Sequence, residues 1–224
     1  FLVSTRFTDR NGGFSNSPYA SFNLALHVGD HADTVDLNRN NLMRDFGPAV
    51  FMTQVHGNTV FVVHGIPAHE PIADALVSQQ TGITLVALVA DCIPLLLLDE
   101  DAPCIAAVHV GRRGLVNGIT SQVIEVMRMM GATNIQGHLG PSICGACYEV
   151  GSEIYEEVGD LFPAARARTI SGALALDLPA ALSKVLFEAG IGVVRSHSCT
   201  VEDVNFFSYR RDGITGRQAG AIWM

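Results

Sequence analysis

The stretch from Ile83 to Leu98 constrains the fold most, because it is apolar almost throughout and is broken only by Asp91, Cys92 and Pro94. A membrane-spanning helix needs about 20 consecutive apolar residues, so the stretch reads as two buried strands joined by a polar turn. A strand that is apolar at nearly every position must be covered on both faces. The chain has the material to do so: 48% of its 224 residues are hydrophobic and only 16% are charged, a balance that excludes disorder.

In all, strands are predicted over Val50–Val55, Thr59–Val63, Thr84–Ala90, Leu95–Asp99, Cys104–Val110, Ile135–Leu139, Ile191–His197 and Gly220–Trp223. One helix is expected from the stripe Leu115, Ile119, Val123, Val126 and Met130, with Gly131 to end it. A second carries Leu178, Leu182, Val185, Leu186 and Ala189 between an Asp177 N-cap and Gly190. A third runs from about Ala32 to Asp45. Strands and helices mix without regular alternation, which predicts an α+β fold with a mixed sheet in a single domain, 1–224. No strand leads into a dinucleotide glycine fingerprint or a Walker loop.

The net charge of −8 and the 7% aromatic content argue against nucleic-acid binding. Phe1–Arg6 has neither a long apolar run nor a cleavage site, and five cysteines is an odd number for a disulfide framework. Together these predict a cytoplasmic protein with no membrane partner.

Reactive residues stand at the ends of apolar strands, where a rigid scaffold can aim side chains. His56 precedes Gly57-Asn58, Cys92 lies in the polar turn, and His109 ends a strand before Gly111-Arg112-Arg113-Gly114. His, Cys and His are ligand types that zinc prefers, and three protein ligands leave a fourth position open. The competing reading is that Cys92 is a small core residue and both histidines are satisfied strand-end groups. Asp91 could orient a ligand histidine or cap the turn before Pro94. Cys144 and Cys147 have redox spacing without the strand-then-helix context, which reads as a loop with incidental thiols. Cys199 carries no further signal.

Several short motifs recur together in order: Ser21-Phe22-Asn23-Leu24, His27-Val28-Gly29-Asp30, Asn38-Arg39, Gln54-Val55-His56-Gly57, Ala73-Asp74-Ala75, Ala90-Asp91-Cys92-Ile93-Pro94, Ala107-Val108-His109, Gly140-Pro141-Ser142-Ile143, Cys147-Tyr148-Glu149-Val150-Gly151, Phe207-Ser208-Tyr209-Arg210-Arg211 and Thr215-Gly216-Arg217. With these the sequence resembles, over nearly its whole length, the YfiH-type proteins. That family was once described as multicopper polyphenol oxidases or laccase-domain proteins and is now treated as purine nucleoside phosphorylases.

The resemblance implies that His56, Cys92 and His109 bind zinc, with Cu2+ as the other possible metal. It implies a layered α/β fold similar to the catalytic domain of a deamidating toxin, the cytotoxic necrotizing factor type. The implied activities are phosphorolysis of adenosine, inosine, guanosine and methylthioadenosine, and adenosine deamination, by a monomer or homodimer acting on purine nucleosides and phosphate. Catalysis then rests on Cys92, His109 and Asp91, with Asp91 the nearest candidate for proton transfer. Arg113, at a helix start, is suited to grip phosphate, and the family motifs suggest Asn23 and Arg39 as substrate contacts. Arg112 stands where the family usually has Trp, a departure that bears on substrate preference more than on metal binding. Two other chemistries use the same residues. One is a Cys–His hydrolase acting on amide bonds of cell-wall precursors. The other is copper redox chemistry, which would need an axial Met such as Met52.

Overall fold

The computed structural model describes residues 2–224. Its strands are β1 (Ser4–Phe7), β2 (Ala49–Val50), β3 (Val60–Val63), β4 (Ala75–Ser78), β5 (Thr84–Val89), β6 (Ile93–Asp99), β7 (Ile105–Val110), β8 (Ile135–Leu139), β9 (Arg166–Arg168), β10 (Leu174–Leu176), β11 (Gly192–Arg195) and β12 (Gln218–Trp223). The helices are α1 (Ala32–Phe46), α2 (Arg112–Val116), α3 (Ile119–Met129), α4 (Ser152–Leu161), α5 (Leu178–Glu188) and α6 (Tyr209–Asp212). One sheet has the order β1-β12-β5-β2 and a larger one β11-β8-β6-β7-β4-β3. Among the described strands, β2–β5, β3–β4 and β8–β11 pair in parallel and the other pairs are antiparallel. This is a mixed α/β architecture with mixed sheets.

The apolar central strands follow from four layers. On β5, Leu85 and Ala87 face the larger sheet, while Val86 and Leu88 face the cluster that includes Leu42 of α1. On β6, Leu96 joins the core between the sheets; Leu95 and Leu97 join Ile119, Val123, Leu182 and Leu186 of the helical layer. Alternate side chains thus point to opposite faces, and both faces are buried. Fully burying a Leu or Val contributes roughly 1.5–3 kcal/mol, so these strands form the stable centre of the molecule. Among the described residues, no helix is long and apolar enough to cross a membrane.

Two expectations need correction. The strand expected over Val50–Val55 stops at Val50. Beyond it, Gln54 takes the place of a further backbone rung: its amide donates to the Leu88 carbonyl at 2.7 Å and accepts from the Leu88 N–H at 2.8 Å. The helix expected from Leu115 to Met130 is two helices, because Gly118 adopts φ 79° between α2 and α3. That conformation is easy for glycine and ends a right-handed helix. Helix α5 begins as read, with Asp177 accepting the Ala180 N–H at 2.8 Å. Helix α4, with Ile154, Tyr155 and Val158 against the core, has a stripe that the periodicity reading does not single out.

Asp99 fastens the β6–β7 turn to the loop before β8. It is fully buried, and its carboxylate accepts N–H groups of Asp101, Ala102, Thr133 and Asn134 at 2.6–2.8 Å. Burial pushes this carboxyl up, but the N–H groups of Asn134, Asp101, Ala102 and Thr133 outweigh it and hold it below the ordinary range. Asp99→Asn should lower unfolding stability by roughly 2–4 kcal/mol in urea melts at pH 7, because an amide leaves buried donors unmatched. A depressed carboxyl contributes stability above its unfolded pKa and loses it in acid. The gap between wild type and variant should therefore shrink as pH falls below about 4.

Candidate metal centre

The site forms where the chain passes between the two sheets. His56 lies in the loop between β2 and β3, Cys92 in the turn from β5 to β6, and His109 near the end of β7. Antiparallel pairing places Pro94 of β6 opposite His109, which brings the Cys92 turn to the same sheet end. One ligand atom from each of His56, Cys92 and His109 lies within 4.8 Å of the others. The two imidazoles meet edge to face, with ring centroids 4.6 Å apart.

Asp74, fully buried just before β4, organises this cluster. Its Oδ1 accepts His109 Nδ1–H at 2.8 Å and the His56 N–H at 2.9 Å; Oδ2 accepts the N–H groups of Gly57 at 2.8 Å and Val55 at 3.3 Å. Burial pushes the Asp74 carboxyl up, but the bonds from His109, Gly57 and Val55 hold it below the ordinary carboxylate range. Because Nδ1 carries the proton toward Asp74, Nε2 of His109 is left to face the cluster. Burial disfavours charge on both Cys92 and His109, yet their mutual attraction dominates: the thiol moves down and the imidazole up. His56 has φ 59° and Asp91 φ 92°, a region that non-glycine residues adopt at a cost and that often marks functional sites.

The residues fit a divalent cation. Two imidazoles and a thiolate are a zinc-type donor set. Opposite them, a methyl group on Gly111 would lie 3.0 Å from Cys92 Sγ and 3.1 Å from His56 Cδ2. Glycine keeps that space clear. The cluster opens into a cavity of about 430 Å³ that His27, Gln54, Arg112, Arg210 and Arg217 also line, with Ile143, Tyr148, Leu178 and Tyr209 supplying apolar wall.

A family model described as "Multi-copper polyphenol oxidoreductase laccase" matches residues 4–224. The chain is 45% identical to a purine nucleoside phosphorylase of Corynebacterium glutamicum, over 97% of this chain and 93% of that one. It is 34% identical to the purine nucleoside phosphorylase YfiH of Escherichia coli, over 99% and 94%. The chain belongs to the YfiH family. The crystal structure of Bacillus licheniformis YfiH matches it with a TM-score of 0.90 at 27% identity, covering 99% of this chain and 92% of that one. A Neisseria meningitidis structure matches with a TM-score of 0.89 at 35% identity, covering 99% and 94%.

In this YfiH-family chain the other residues singled out from sequence are placed unevenly. Asp91 lines the cavity, but both its oxygens are engaged, by Thr200 Oγ1–H and the Arg210 N–H, each at 2.7 Å. The histidine-orienting role open to Asp91 belongs to Asp74. Arg113 is exposed and does not line the cavity, whereas Arg112 does; successive residues of a helix point about 100° apart. Asn23 is buried outside the cavity and accepts the Arg217 N–H at 2.9 Å through Oδ1, so it fixes a cavity residue rather than forming the wall. Arg39 packs 3.8 Å above the Phe51 ring and pairs with Glu70 at 2.6 Å, also away from the cavity. Met52 is buried in the core between the sheets and is not among the residues lining the cavity.

His27, Gln54, Arg210 and Arg217 belong to quoted family motifs but have no spacing of their own that marks a site. Asp74, too, sits in such a motif and reads in isolation as an ordinary turn acid. Asp74→Asn should weaken zinc binding about 10- to 100-fold by isothermal titration, the range found when a group orienting a ligand histidine is lost. Cys92→Ala should lose most metal at this cluster, and Gly111→Ala should lower its occupancy by filling the facing space.

Proposed function

We propose that this chain is a zinc-dependent purine nucleoside phosphorylase that also deaminates adenosine. The observation that carries the reading is that one cavity holds both the His56–Cys92–His109 donor set and the side chains of Arg112, Arg210 and Arg217. Its volume of about 430 Å³ falls in the range of roughly 300–1,000 Å³ that small-molecule pockets occupy. The names of the relatives support the same substrate class.

In phosphorolysis a phosphate oxygen forms a bond to C1′ of the ribose while the bond from C1′ to the purine nitrogen breaks. The purine leaves with the bonding electrons and gains a proton on nitrogen. The arginines supply the positive charge that phosphate requires, and guanidinium groups can hold two of its oxygens at once. Arg217 is half-buried. Burial lowers its pKa, while Cys92 and Asp91 counteract this through their charges, which places its guanidinium in the field of the cluster. The tyrosines of the apolar wall, Tyr148 and Tyr209, can receive the purine face. Bound zinc supplies Lewis-acid character beside these groups. In deamination, water provides the oxygen that replaces the C6 amino group, and ammonia leaves.

A second reading has a specific observation in its favour. Cys92, His109 and Asp74 stand in the order nucleophile, base and orienting carboxylate, as a Cys–His hydrolase requires. Chelation separates the two: the phosphorylase loses turnover with chelator and recovers with zinc, and a Cys–His hydrolase tolerates chelator.

Adenosine incubated with phosphate should yield adenine and ribose 1-phosphate; without phosphate it should yield inosine. Arg217→Lys should lower phosphorolysis about 10- to 150-fold, the worth of one charge-assisted contact, and deamination less. Arg113→Lys should leave both rates near wild type. Chromatography of products at several phosphate concentrations checks this, and equal losses in both activities for Arg217→Lys would sink the phosphate-grip role.

A further inference from the structure

Three of the remaining cysteines meet away from the His56 cluster. Cys144 and Cys147 lie in a tight turn after β8, where the N–H groups of Cys147 and Tyr148 both donate to the Cys144 carbonyl at 3.1 Å. The loop after β11 brings Cys199 beside this turn through a bridge from Ser142 to Cys199, and the Thr200 N–H donates to the Ser142 carbonyl at 3.1 Å. The three sulfurs and a Glu202 carboxylate oxygen all lie within 4.8 Å of one another. Glu202 Oε1 is 3.4 Å from Cys147 Sγ and 3.9 Å from Cys144 Sγ. The Cys144 N–H points at Cys199 Sγ, 3.4 Å away, a donor that would stabilise a thiolate.

We propose that Cys144, Cys147, Cys199 and Glu202 form a second metal site that takes one zinc-type divalent cation and serves a structural role. Two ligands about 2.3 Å from a tetrahedral zinc lie about 3.8 Å apart, so the observed spacing needs only a small contraction. Three sulfurs and a carboxylate make a closed, four-ligand set of the structural kind. Cys199 is buried and Glu202 exposed, which gives the cation an entry side. All five cysteines are free thiols. Each coordinating thiol gives its proton to solvent as the metal binds. No oxidation is involved.

The position gives the cation a task. Ile143 and Tyr148 bracket the Cys144–Cys147 turn and both line the active cavity. Thr200, between Cys199 and Glu202 in sequence, holds Asp91. A cation here would staple two irregular segments of the cavity wall to each other. The thiols are therefore not incidental to the loop, as spacing alone suggested.

The inference does not rest on the phosphorylase reading, and zinc counts in reduced, full-length protein test it apart from turnover. Native mass spectrometry after zinc addition should find two equivalents in wild type, one in Cys92→Ala and none in the Cys92→Ala, Cys147→Ser double variant. In folded Cys92→Ala, zinc should slow alkylation of Cys144, Cys147 and Cys199 together, as mapped by peptide mass spectrometry. This second arm keeps the test decisive if the double variant does not fold. A Cys92→Ala protein that binds no zinc, alkylation rates unchanged by zinc, or a Cys144–Cys147 disulfide that persists in reductant would each overturn the proposal.

Discussion

The Asp74 carboxylate is the contact on which the site depends. A buried carboxylate without partners would cost several kcal/mol; this one is matched by the His109 imidazole and by three backbone N–H groups from Val55 to Gly57. One group thereby sets the tautomer of one candidate ligand and the backbone of another. It also fastens the loop leaving the smaller sheet to strands β4 and β7 of the larger one. The left-handed backbone at His56 persists because these bonds hold it; such a conformation costs on the order of 1–3 kcal/mol. Asp91 shows the same principle, with Thr200 and the start of α6 engaging its side chain.

Division of labour follows from the layers. Cys92 and His109 stand at or next to the ends of buried strands, where close packing leaves little freedom, and the Asp74 carboxylate fixes the loop that carries His56. The residues suited to substrate, among them Arg210, Arg217 and Tyr148, lie on loops, in the short helix α6 or beside β12. Rigid donors with more adaptable walls are a common arrangement for a binding site. The Cys144–Cys199 cluster bears on this balance, because it lies behind the least regular part of the wall.

Much of the framework was legible because it rests on local periodicity. Strand β8 agrees with its expected bounds, and β5, β6, β7 and β12 lie within a few residues of theirs. Asp177 and Gly190 bound α5 through capping chemistry that a short sequence window contains. Strand β4 was not legible: its four residues are all buried, so they show neither alternation nor length. The break between α2 and α3 was hidden because an apolar stripe can continue in register across a single left-handed glycine.

The sequence by itself determined the mixture of helices with a mixed sheet and put Cys92 and His109 at the ends of buried strands, since burial of both faces and turn chemistry are written in neighbouring residues; it also placed His56 at a strand end, whereas His56 lies in the loop between β2 and β3. The meeting of those three side chains within 4.8 Å, the choice of Asp74 over Asp91 to orient His109, and the turning of Arg112 rather than Arg113 toward the cavity were decided only by tertiary structure. So was the convergence of Cys144 and Cys147 with Cys199, more than fifty residues later. Each of these depends on how distant strands register and which way a helix faces, and those are settled by the packing of the whole chain rather than by any local pattern.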